Sequence, residues 1–432
     1  MLFERPEIGD RAVILHIVLK REVNPEQAEF AELAKSAGID VVAAILAPRD
    51  APNPHTYVGK GKVAEVKMSL RQSDADLLLV NHELNAGQQR NLEQALDCRV
   101  ITRTELILTI FADRARSHEG QLQVELAQLK HAQTRLVRGW THLDRQKGGI
   151  GLRGAGEKQI EMDQRMLSER VKAMEKKLLD VEKRRALNRR GRDRRGVPTV
   201  ALVGYTNAGK STLFNRLADA DVYAEDQLFA TLDPTTRKIV IPGLTDVVLA
   251  DTVGFVSLLP HALVEAFKAT LEEVAQADLL VHVVDASDPL INERVGQVRQ
   301  VLQDIGAGSV PELVALNKTD LVDQYPHLEP CDSGRRIDVI PVSALTGDSL
   351  DQLITTIGDS LGVASPHEVV LDSADGKTRA WLYRSGAVLN EALLDDGSLQ
   401  LTLQANNQLI DQLENSPQVL LRTSTVLPRI SD

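Results

Sequence analysis

Aromatic residues are scarce: Phe, Trp and Tyr together make up 3% of the 432 residues. A surface that tracks single-stranded nucleic acid stacks bases on aromatic faces, so that class of function is disfavoured. Cysteine is nearly absent, with only Cys98 and Cys331, far apart in the chain. This excludes a disulfide framework and a cysteine zinc site and suits a reducing cytoplasm. Long apolar runs are missing too. The longest near the start, Ala12–Leu19, is too short to span a bilayer and has no cleavage site after it, so it reads as a strand and not a signal peptide. What remains, 43% hydrophobic and 26% charged, is the composition of a soluble globular protein, and the length suggests two to four domains.

Charge is unevenly spread. The net charge is −11, yet residues 113–196 hold 22 Lys and Arg against 12 Asp and Glu. That segment is therefore +10 and the remainder −21. Runs of charge are commonly solvated helix faces, but an offset of this size in an acidic protein points to a polyanionic partner.

Residues 1–112 alternate strand and helix signals. Strands are expected at Ala12–Leu19, Ile39–Leu46, Leu77–Val80 and Arg99–Thr102. Asn24-Pro25-Glu26 reads as a helix start with Asn as cap, and Gly38 as that helix's end. Gly59-Lys60-Gly61-Lys62 opens a helix to about Gln72, and Asn85–Leu96 is another. The sum is a small α/β domain with a mainly parallel sheet. The 59–62 turn lacks the spacing of a phosphate loop, so a helix-capping turn is the stronger reading.

Residues 113–196 change character. Leu122, Leu126, Leu129 and Leu136 recur at helical spacing, as do Ile160, Leu167, Met174, Leu178 and Val181. Two amphipathic helices with one apolar stripe each pair most simply as an antiparallel arm. Between them Trp140–Gly156 is rich in glycine and carries Arg145, Lys147 and Arg153, which with Lys158 are the candidate RNA contacts at the tip. The second helix is expected to end near Lys183-Arg184-Arg185, leaving a basic linker to Gly196. Residues 197–363 then form a nucleotide-binding domain with alternating strands and helices. Residues 364–432 form a small α+β domain, with strands at His367–Leu371 and Ser398–Gln404 and helices at Lys377–Leu394 and Asn406–Glu414.

Gly204-Tyr205-Thr206-Asn207-Ala208-Gly209-Lys210-Ser211 fits the phosphate-loop pattern, between an apolar strand at Thr199–Val203 and a helix beginning with Thr212. Its backbone N–H groups and the helix N-terminus would face phosphate oxygens, Lys210 would reach the terminal phosphates, and Ser211 would ligate Mg²⁺. Four elements follow in order. Phe229-Ala230-Thr231-Leu232-Asp233-Pro234-Thr235-Thr236 is a switch-like segment in which Thr231, Thr235 and Thr236 are each chemically able to complete the Mg²⁺ shell. Asp251-Thr252-Val253-Gly254 ends a strand, placing Asp251 to hold Mg²⁺ and the Gly254 N–H to meet the γ-phosphate. Asn317-Lys318-Thr319-Asp320 selects guanine, because the Asp320 carboxylate accepts from guanine N1–H and N2, which adenine cannot supply, and Lys318 would lie along the base plane. Ser343-Ala344-Leu345 would present the Ala344 N–H to the guanine carbonyl. Five elements in register describe a Mg²⁺-dependent GTPase. Many regulatory GTPases orient the attacking water with a glutamine after the D-x-x-G glycine; here that residue is Phe255, which implies slow hydrolysis until a partner orders the switches.

The tip Gly148-Gly149-Ile150-Gly151-Leu152-Arg153-Gly154-Ala155-Gly156-Glu157-Lys158-Gln159-Ile160-Glu161, followed by Gly204–Ser211 and Phe229–Thr236, resembles the HflX family of ribosome-associated GTPases, in the Obg–HflX group. The likeness covers nearly the whole chain; Ala155 stands where the family commonly has proline. It implies binding to the large ribosomal subunit, GTP hydrolysis stimulated there, an arm that contacts ribosomal RNA near the peptidyl-transferase region, and a role in splitting or rescuing stalled ribosomes. It also implies that Thr231 is the switch threonine, that Lys210, Thr231 and Gly254 form the catalytic set, and that the N-terminal domain contacts adenine nucleotides such as ATP, with Gly59–Lys62 the turn to examine. The expected state is a cytoplasmic monomer, with peripheral membrane contact at most. Alternatives are a ribosome-assembly or tRNA-directed GTPase, or a signalling switch that binds a protein effector.

Overall fold

The computed structural model describes residues 11–20, 26–140, 155–193, 197–219, 228–229, 232, 235–241, 244–257, 273–329, 337–362, 367–371, 375–384, 387–394, 397–403, 413 and 419–422. The chain forms two compact units. The first comprises Met1–Leu187, Glu225–Asp233 and Val256–Ala269; the second comprises Asn188–Ala224, Pro234–Phe255 and Thr270–Asp432.

The first unit is built on β1 (Arg11–Leu19), β2 (Asp40–Arg49), β3 (Leu77–Val80) and β4 (Arg99–Thr102), in the order β2-β1-β3-β4 and parallel throughout. A parallel sheet has both faces covered, which is why Leu77-Leu78-Leu79-Val80 is apolar without alternation and wholly buried. The crossovers are α1 (Gln27–Ser36), α2 (Lys60–Ser73) and α3 (Ala86–Leu96). Asn85 caps α3 in a reciprocal box with Gln88, as its position before the apolar run predicts. The expected cap Asn24 lies outside the described residues, and the residue at the N-cap of α1 is Glu26, with no side-chain bond. β2 runs three residues beyond the expected Leu46, through Pro48, because it is an edge strand on which a missing N–H breaks no ladder bond.

One helix escaped the sequence reading. α4 (Arg103–Arg114) follows β4 directly, and its signal was present: Thr102 and Glu105 form a capping box ahead of Leu106, Ile107, Leu108, Ile110 and Phe111, all buried. Its first residue, Arg103, forms a buried ion pair with Glu29 of α1 and donates to the Ser257 carbonyl at 2.9 Å.

The basic segment is α5 (His118–Trp140) and α6 (Ala155–Asp193). Leu122, Leu126 and Leu129 pack with Leu167, Val171, Met174 and Leu178 in one apolar seam. Arg170–Glu125 at 2.6 Å and Lys130–Glu175 at 3.1 Å flank it, the arrangement of a coiled-coil edge. Val181 is half-buried outside this cluster, and the side chains of Leu136 and Ile160 are not among those described. The basic linker is corrected: α6 continues to Asp193, since Lys, Arg, Ala and Leu are good helix formers and no proline intervenes. The tip with Arg145, Lys147 and Arg153 lies outside the described residues; Lys158 is on α6 with its side chain undescribed.

In the second unit six strands run β10-β9-β8-β5-β7-β6: β5 (Thr199–Val203), β6 (Thr235–Ile241), β7 (Leu244–Asp251), β8 (Leu279–Asp285), β9 (Glu312–Asn317) and β10 (Val339–Pro341). All neighbours are parallel except β6, which runs antiparallel to β7 at the edge. α7 (Lys210–Ala218), α8 (Ile291–Asp304) and α9 (Leu350–Ser360) belong to this domain, and Leu213, Phe214, Leu353 and Ile357 join the strands in its core. An antiparallel sheet, β12-β13-β11-β14, follows, made of β11 (His367–Leu371), β12 (Val388–Leu393), β13 (Leu399–Leu403) and β14 (Val419–Arg422). The helix expected over Lys377–Leu394 is corrected to α10 (Gly376–Arg384) followed by β12. Gly386 interrupts the run, and pairing with β13 overrides whatever helical preference Asn390–Leu394 carries. Of the helix expected at Asn406–Glu414 only Leu413 is described, and it is helical.

Candidate functional site

β5, β7, β8 and β9 are parallel neighbours, so their carboxyl ends open on one edge of the sheet, where ligands of open α/β sheets bind. β5 leads into the glycine-rich loop. Gly204 has φ +148°, and a Cβ there would stand 2.2 Å from the Val283 carbonyl oxygen. Gly209 has φ +92°, and a Cβ would stand 2.2 Å from Asn317 Nδ2. Both are therefore glycine for conformation and for space.

Lys210 opens α7 and is buried, with 6% of its surface exposed. Its ammonium donates to the carbonyls of Gly204 at 3.1 Å and Tyr205 at 2.7 Å. Burial pushes its pKa down to about 8, opposed by the Asp251 carboxylate. A cation held among backbone carbonyls in a concave loop is a receptor for an anion. Beside it the Ser211 hydroxyl donates to Asp251 Oδ2 at 2.7 Å, so a hydroxyl and a fully buried carboxylate converge at the end of β7. Two hard oxygen donors of this kind suit Mg²⁺. Thr252 donates to the Leu202 carbonyl at 2.6 Å and fixes the start of the next loop to β5.

That loop closes on the first. Thr206 N donates to the Phe255 carbonyl at 2.7 Å, and Phe255 N donates to the Gly204 carbonyl at 3.2 Å. A Cβ on Gly254 would stand 2.7 Å from Thr206 Cγ2 and 3.0 Å from Lys210 Nζ, so only glycine allows this approach. Phe255 is buried.

The base-reading elements meet at the ends of β9 and β10. Asn317 donates through Nδ2 to the Ala208 carbonyl at 2.8 Å and accepts from Ala344 N at 2.9 Å, joining both loops with one carboxamide. The Ser343 hydroxyl donates to Asp320 Oδ1 at 2.6 Å, and Thr319 donates to the Val342 carbonyl at 2.9 Å. Asp320 is thus a pre-oriented carboxylate beside a loop tied to the phosphate end.

Four family models match the chain in succession. Residues 24–112 match the family model described as GTP-binding GTPase N-terminal, 114–192 the GTP-binding GTPase Middle Region, 199–318 the 50S ribosome-binding GTPase and 332–418 the HflX C-terminal domain. A GTPase HflX of Escherichia coli is 47% identical over 405 residues, covering 93% of this chain and 95% of its own. That of Caldanaerobacter subterraneus is 44% identical over 408 residues, covering 94% and 93%. The chain belongs to the HflX family of GTPases. Its enzymatic class is GTP hydrolysis. Among solved structures, a GTP-binding protein from Sulfolobus solfataricus in complex with GDP aligns over 81% of this chain and 98% of its own, at 24% identity and a TM-score of 0.43.

Within this HflX chain the structure brings together Gly204, Thr206, Lys210, Ser211, Asp251, Gly254 and Phe255, and separately Ala208, Asn317, Asp320, Ser343 and Ala344. Asn207 is exposed with φ +60°, Thr212 is half-buried in the first turn of α7, and Val253 is buried. Three of the expected contacts have other partners in this structure. Lys318, expected along the base plane, pairs with Asp285 at 2.8 Å at the end of β8. The Ala344 N–H, expected toward a base carbonyl, is engaged by Asn317. Phe229 and Leu232 are buried in the first unit, where the Phe229 ring meets Phe111 edge-on at 4.6 Å. Ala230, Thr231 and Asp233 lie outside the described residues, while Thr235 and Thr236 are on β6. Leu345 is exposed. The sequence reading passed over Arg294, whose guanidinium stacks 4.7 Å from the Tyr205 ring while pairing with Asp288. Nothing in a one-dimensional pattern marks an arginine 89 residues away as the support of a loop tyrosine. Among the described residues no helix is long and apolar enough to cross a membrane.

Proposed function

We propose that this chain binds the large ribosomal subunit and hydrolyses GTP slowly until that contact orders its switches, and that the cycle serves to split or rescue stalled ribosomes. In this reading residues 1–112 and the basic arm 113–196 meet ribosomal RNA, 197–363 turns over GTP, and 364–432 is a separate α+β domain. The observation that carries the nucleotide part is the Asn317 carboxamide, which links the Ala208 carbonyl of the phosphate loop to Ala344 of the base loop and leaves Asp320 beside it. Asp320 accepts the guanine N1–H and N2 protons. Lys210 leaves its carbonyl partners for the β- and γ-phosphates, and the Gly254 N–H meets the γ-phosphate. Ser211 and Asp251, with Thr231 as the family likeness implies, would hold Mg²⁺. The ion, when bound, neutralises charge on the phosphate oxygens.

The ribosomal part is supported by the matched description of residues 199–318 and by the +10 segment. Slow intrinsic turnover is supported by Phe255, whose buried apolar ring cannot orient a water. The test is GTP turnover with and without large subunits, run alongside Arg153→Ala. Stimulation that weakens in the variant and falls steeply with salt is expected; an unstimulated rate sinks the ribosomal reading. For the base, Asp320→Asn is expected to weaken GTP binding by several kcal/mol, on the order of what an unpaired buried polar contact costs, and unchanged GTP affinity removes that role from Asp320.

A further inference from the structure

Arg216 lies on α7, six residues beyond Lys210, so the helix whose first turn carries the phosphate-binding lysine also carries this guanidinium about 9 Å further along its axis. Its Nε donates to the Ala344 carbonyl at 3.2 Å and its Nη2 donates to the Leu345 carbonyl at 2.6 Å. The two acceptors are consecutive carbonyls of the 343–345 loop. A planar fork on adjacent carbonyls fixes their direction as well as their distance, which a single-point ammonium cannot do.

The other attachments of that loop make the fork matter. Its amide side is held by Asn317, which accepts from Ala344 N. Its far side returns through a local turn: Gly347, at φ +95°, donates to the Ser343 carbonyl at 2.8 Å, Thr346 N donates to the Ser343 hydroxyl oxygen at 3.1 Å, and the Thr346 hydroxyl donates to Asp348 at 2.6 Å. Leu345 gives no anchorage, being 68% exposed. Arg216 therefore fixes the carbonyl side of residues 344 and 345 and, together with the Asn317 bond on the amide side, sets the direction of the Ala344 N–H, while α7 itself is set by the phosphate loop.

We propose that Arg216 is a positioning and specificity-determining residue for the guanine site, clamping the 343–345 loop to the phosphate-binding helix so that the Ala344 N–H, which Asn317 Oδ1 accepts in this structure, is oriented to turn to the 6-carbonyl of the base when guanine binds. This rests on the reading that residues 317–320 and 343–345 hold guanine. Arg216 lies six residues beyond Lys210 and donates to the 344 and 345 carbonyls, so in this proposal it acts on affinity and base choice and leaves the chemical step alone.

The test measures dissociation of fluorescent GDP and equilibrium binding of GDP, ADP and the diphosphate of 2-aminopurine riboside, which keeps the 2-amine but lacks the 6-carbonyl and the N1–H, so that it binds more weakly to the parent and only the change on substitution is compared. Arg216→Ala is expected to raise the GDP dissociation rate and the KM for GTP about tenfold, with kcat at saturating GTP within about twofold of the parent. The loss falls on GDP and spares the 2-aminopurine nucleotide, so discrimination between the two shrinks. Arg216→Lys, which keeps the charge and loses the fork, falls between. Equal weakening of both nucleotides would make Arg216 a general brace and overturn the proposal, as would an unchanged dissociation rate or a lower kcat at constant KM. A parent protein that fails to prefer GDP over ADP would instead overturn the guanine reading itself.

Discussion

Among the described residues, the glycine-containing turns at 59–62 and 204–211 each lead into a helix, and only the second has the geometry of a phosphate site. At Gly59-Lys60-Gly61-Lys62 the backbone is ordinary. Gly59 is the N-cap of α2 with φ −75°, a Cβ there would touch only the end of the Arg49 side chain at 3.4 Å, and a Cβ on Gly61 would meet nothing within 4 Å. Lys60 is exposed and Lys62 pairs with Glu65 one turn on. At Gly204–Ser211 two glycines have positive φ, a Cβ on either would stand 2.2 Å from a neighbour, and the lysine is buried. The difference is physical: a phosphate loop forces its backbone into shapes that leave N–H groups and a cation facing inward, whereas a helix-starting turn uses glycine because nothing forbids it.

The largest effect expected from this contrast is that of Gly204→Ala. The added methyl carbon would overlap the Val283 carbonyl oxygen, which is fixed in the centre of the sheet, and the residue would sit at φ +148°. A loss of about 4 kcal/mol or more, with GTP binding abolished, is expected from overpacking plus backbone strain. Chemical denaturation and GTP titration check it. A variant of parental stability would mean that the loop moves freely, and the contrast would collapse.

Lysine substitutions come next. Lys210→Met is expected to lower GTP affinity at least a hundredfold, about 2.7 kcal/mol, through loss of the phosphate contact. In the nucleotide-free protein the same change is expected to raise the melting temperature, because it removes a buried cation whose pKa burial has already pushed down to about 8. Opposite signs for binding and stability mark a residue kept for its ligand. Lys60→Met is expected to change neither. Equal effects from the two would erase the distinction drawn between the turns.

Legibility in the sequence follows the same line. Gly204–Ser211, Asp251–Gly254, Asn317–Asp320 and Ser343–Leu345 could be read because each is a short contiguous pattern after an apolar strand, and the parallel sheet delivers them to one edge. The paired helices could be read because the leucines at 122, 126 and 129 keep helical phase. What escaped depends on pairing between distant residues. Lys318 is drawn to Asp285, Arg294 to Tyr205 and Arg216 to two backbone carbonyls, and none of these has a fixed spacing. α4 was missed for another reason: its capping box Thr102–Glu105 overlaps the end of β4, so the strand signal masked the helix start. In Val388–Leu393 local helical preference lost to strand pairing with β13.

Acid should separate the two sheets, with a smaller effect. In the first unit His82 follows β3, and burial, then the charges of His16 and Arg103, push its pKa down to about 4 from an ordinary 6.5. The unfolded chain thus binds more protons between those values, so stability falls as pH drops from 6.5 toward 4, on the order of 2 kcal/mol. In the second unit burial pushes the Glu312 carboxyl up, but the His282 hydrogen bond and charge and the Arg299 guanidinium outweigh it and hold it below its ordinary 4.5. That contribution is complete above pH 4.5 and is lost only below it. Amide hydrogen exchange at pH 5 is therefore expected to show β1 and β3 opening more than at pH 7 while β8 and β9 keep their protection. Simultaneous loss would assign the acid response to something other than these buried histidines, and His82→Gln, which cannot charge, should reduce it, leaving the part due to His16 on β1, whose pKa burial and Arg103 also push down.

The smallest effect belongs to Gly61→Ala. Gly61 is in the first turn of α2 with helical backbone and open space around its Cα. Alanine restricts the unfolded chain and suits the helix, so stability is expected to rise by about 0.5 kcal/mol. At the size of these domains that is a melting temperature about 1–2 °C higher. GTP turnover should not change. The same variant examines the adenine-nucleotide contact that the family likeness implies for this turn. If phosphate approached the backbone here as closely as it must at Gly204–Ser211, a methyl group at residue 61 would weaken ATP binding to the first unit. If the turn only starts a helix, ATP binding is indifferent to it, and the two glycine-rich turns differ in kind and not merely in strength.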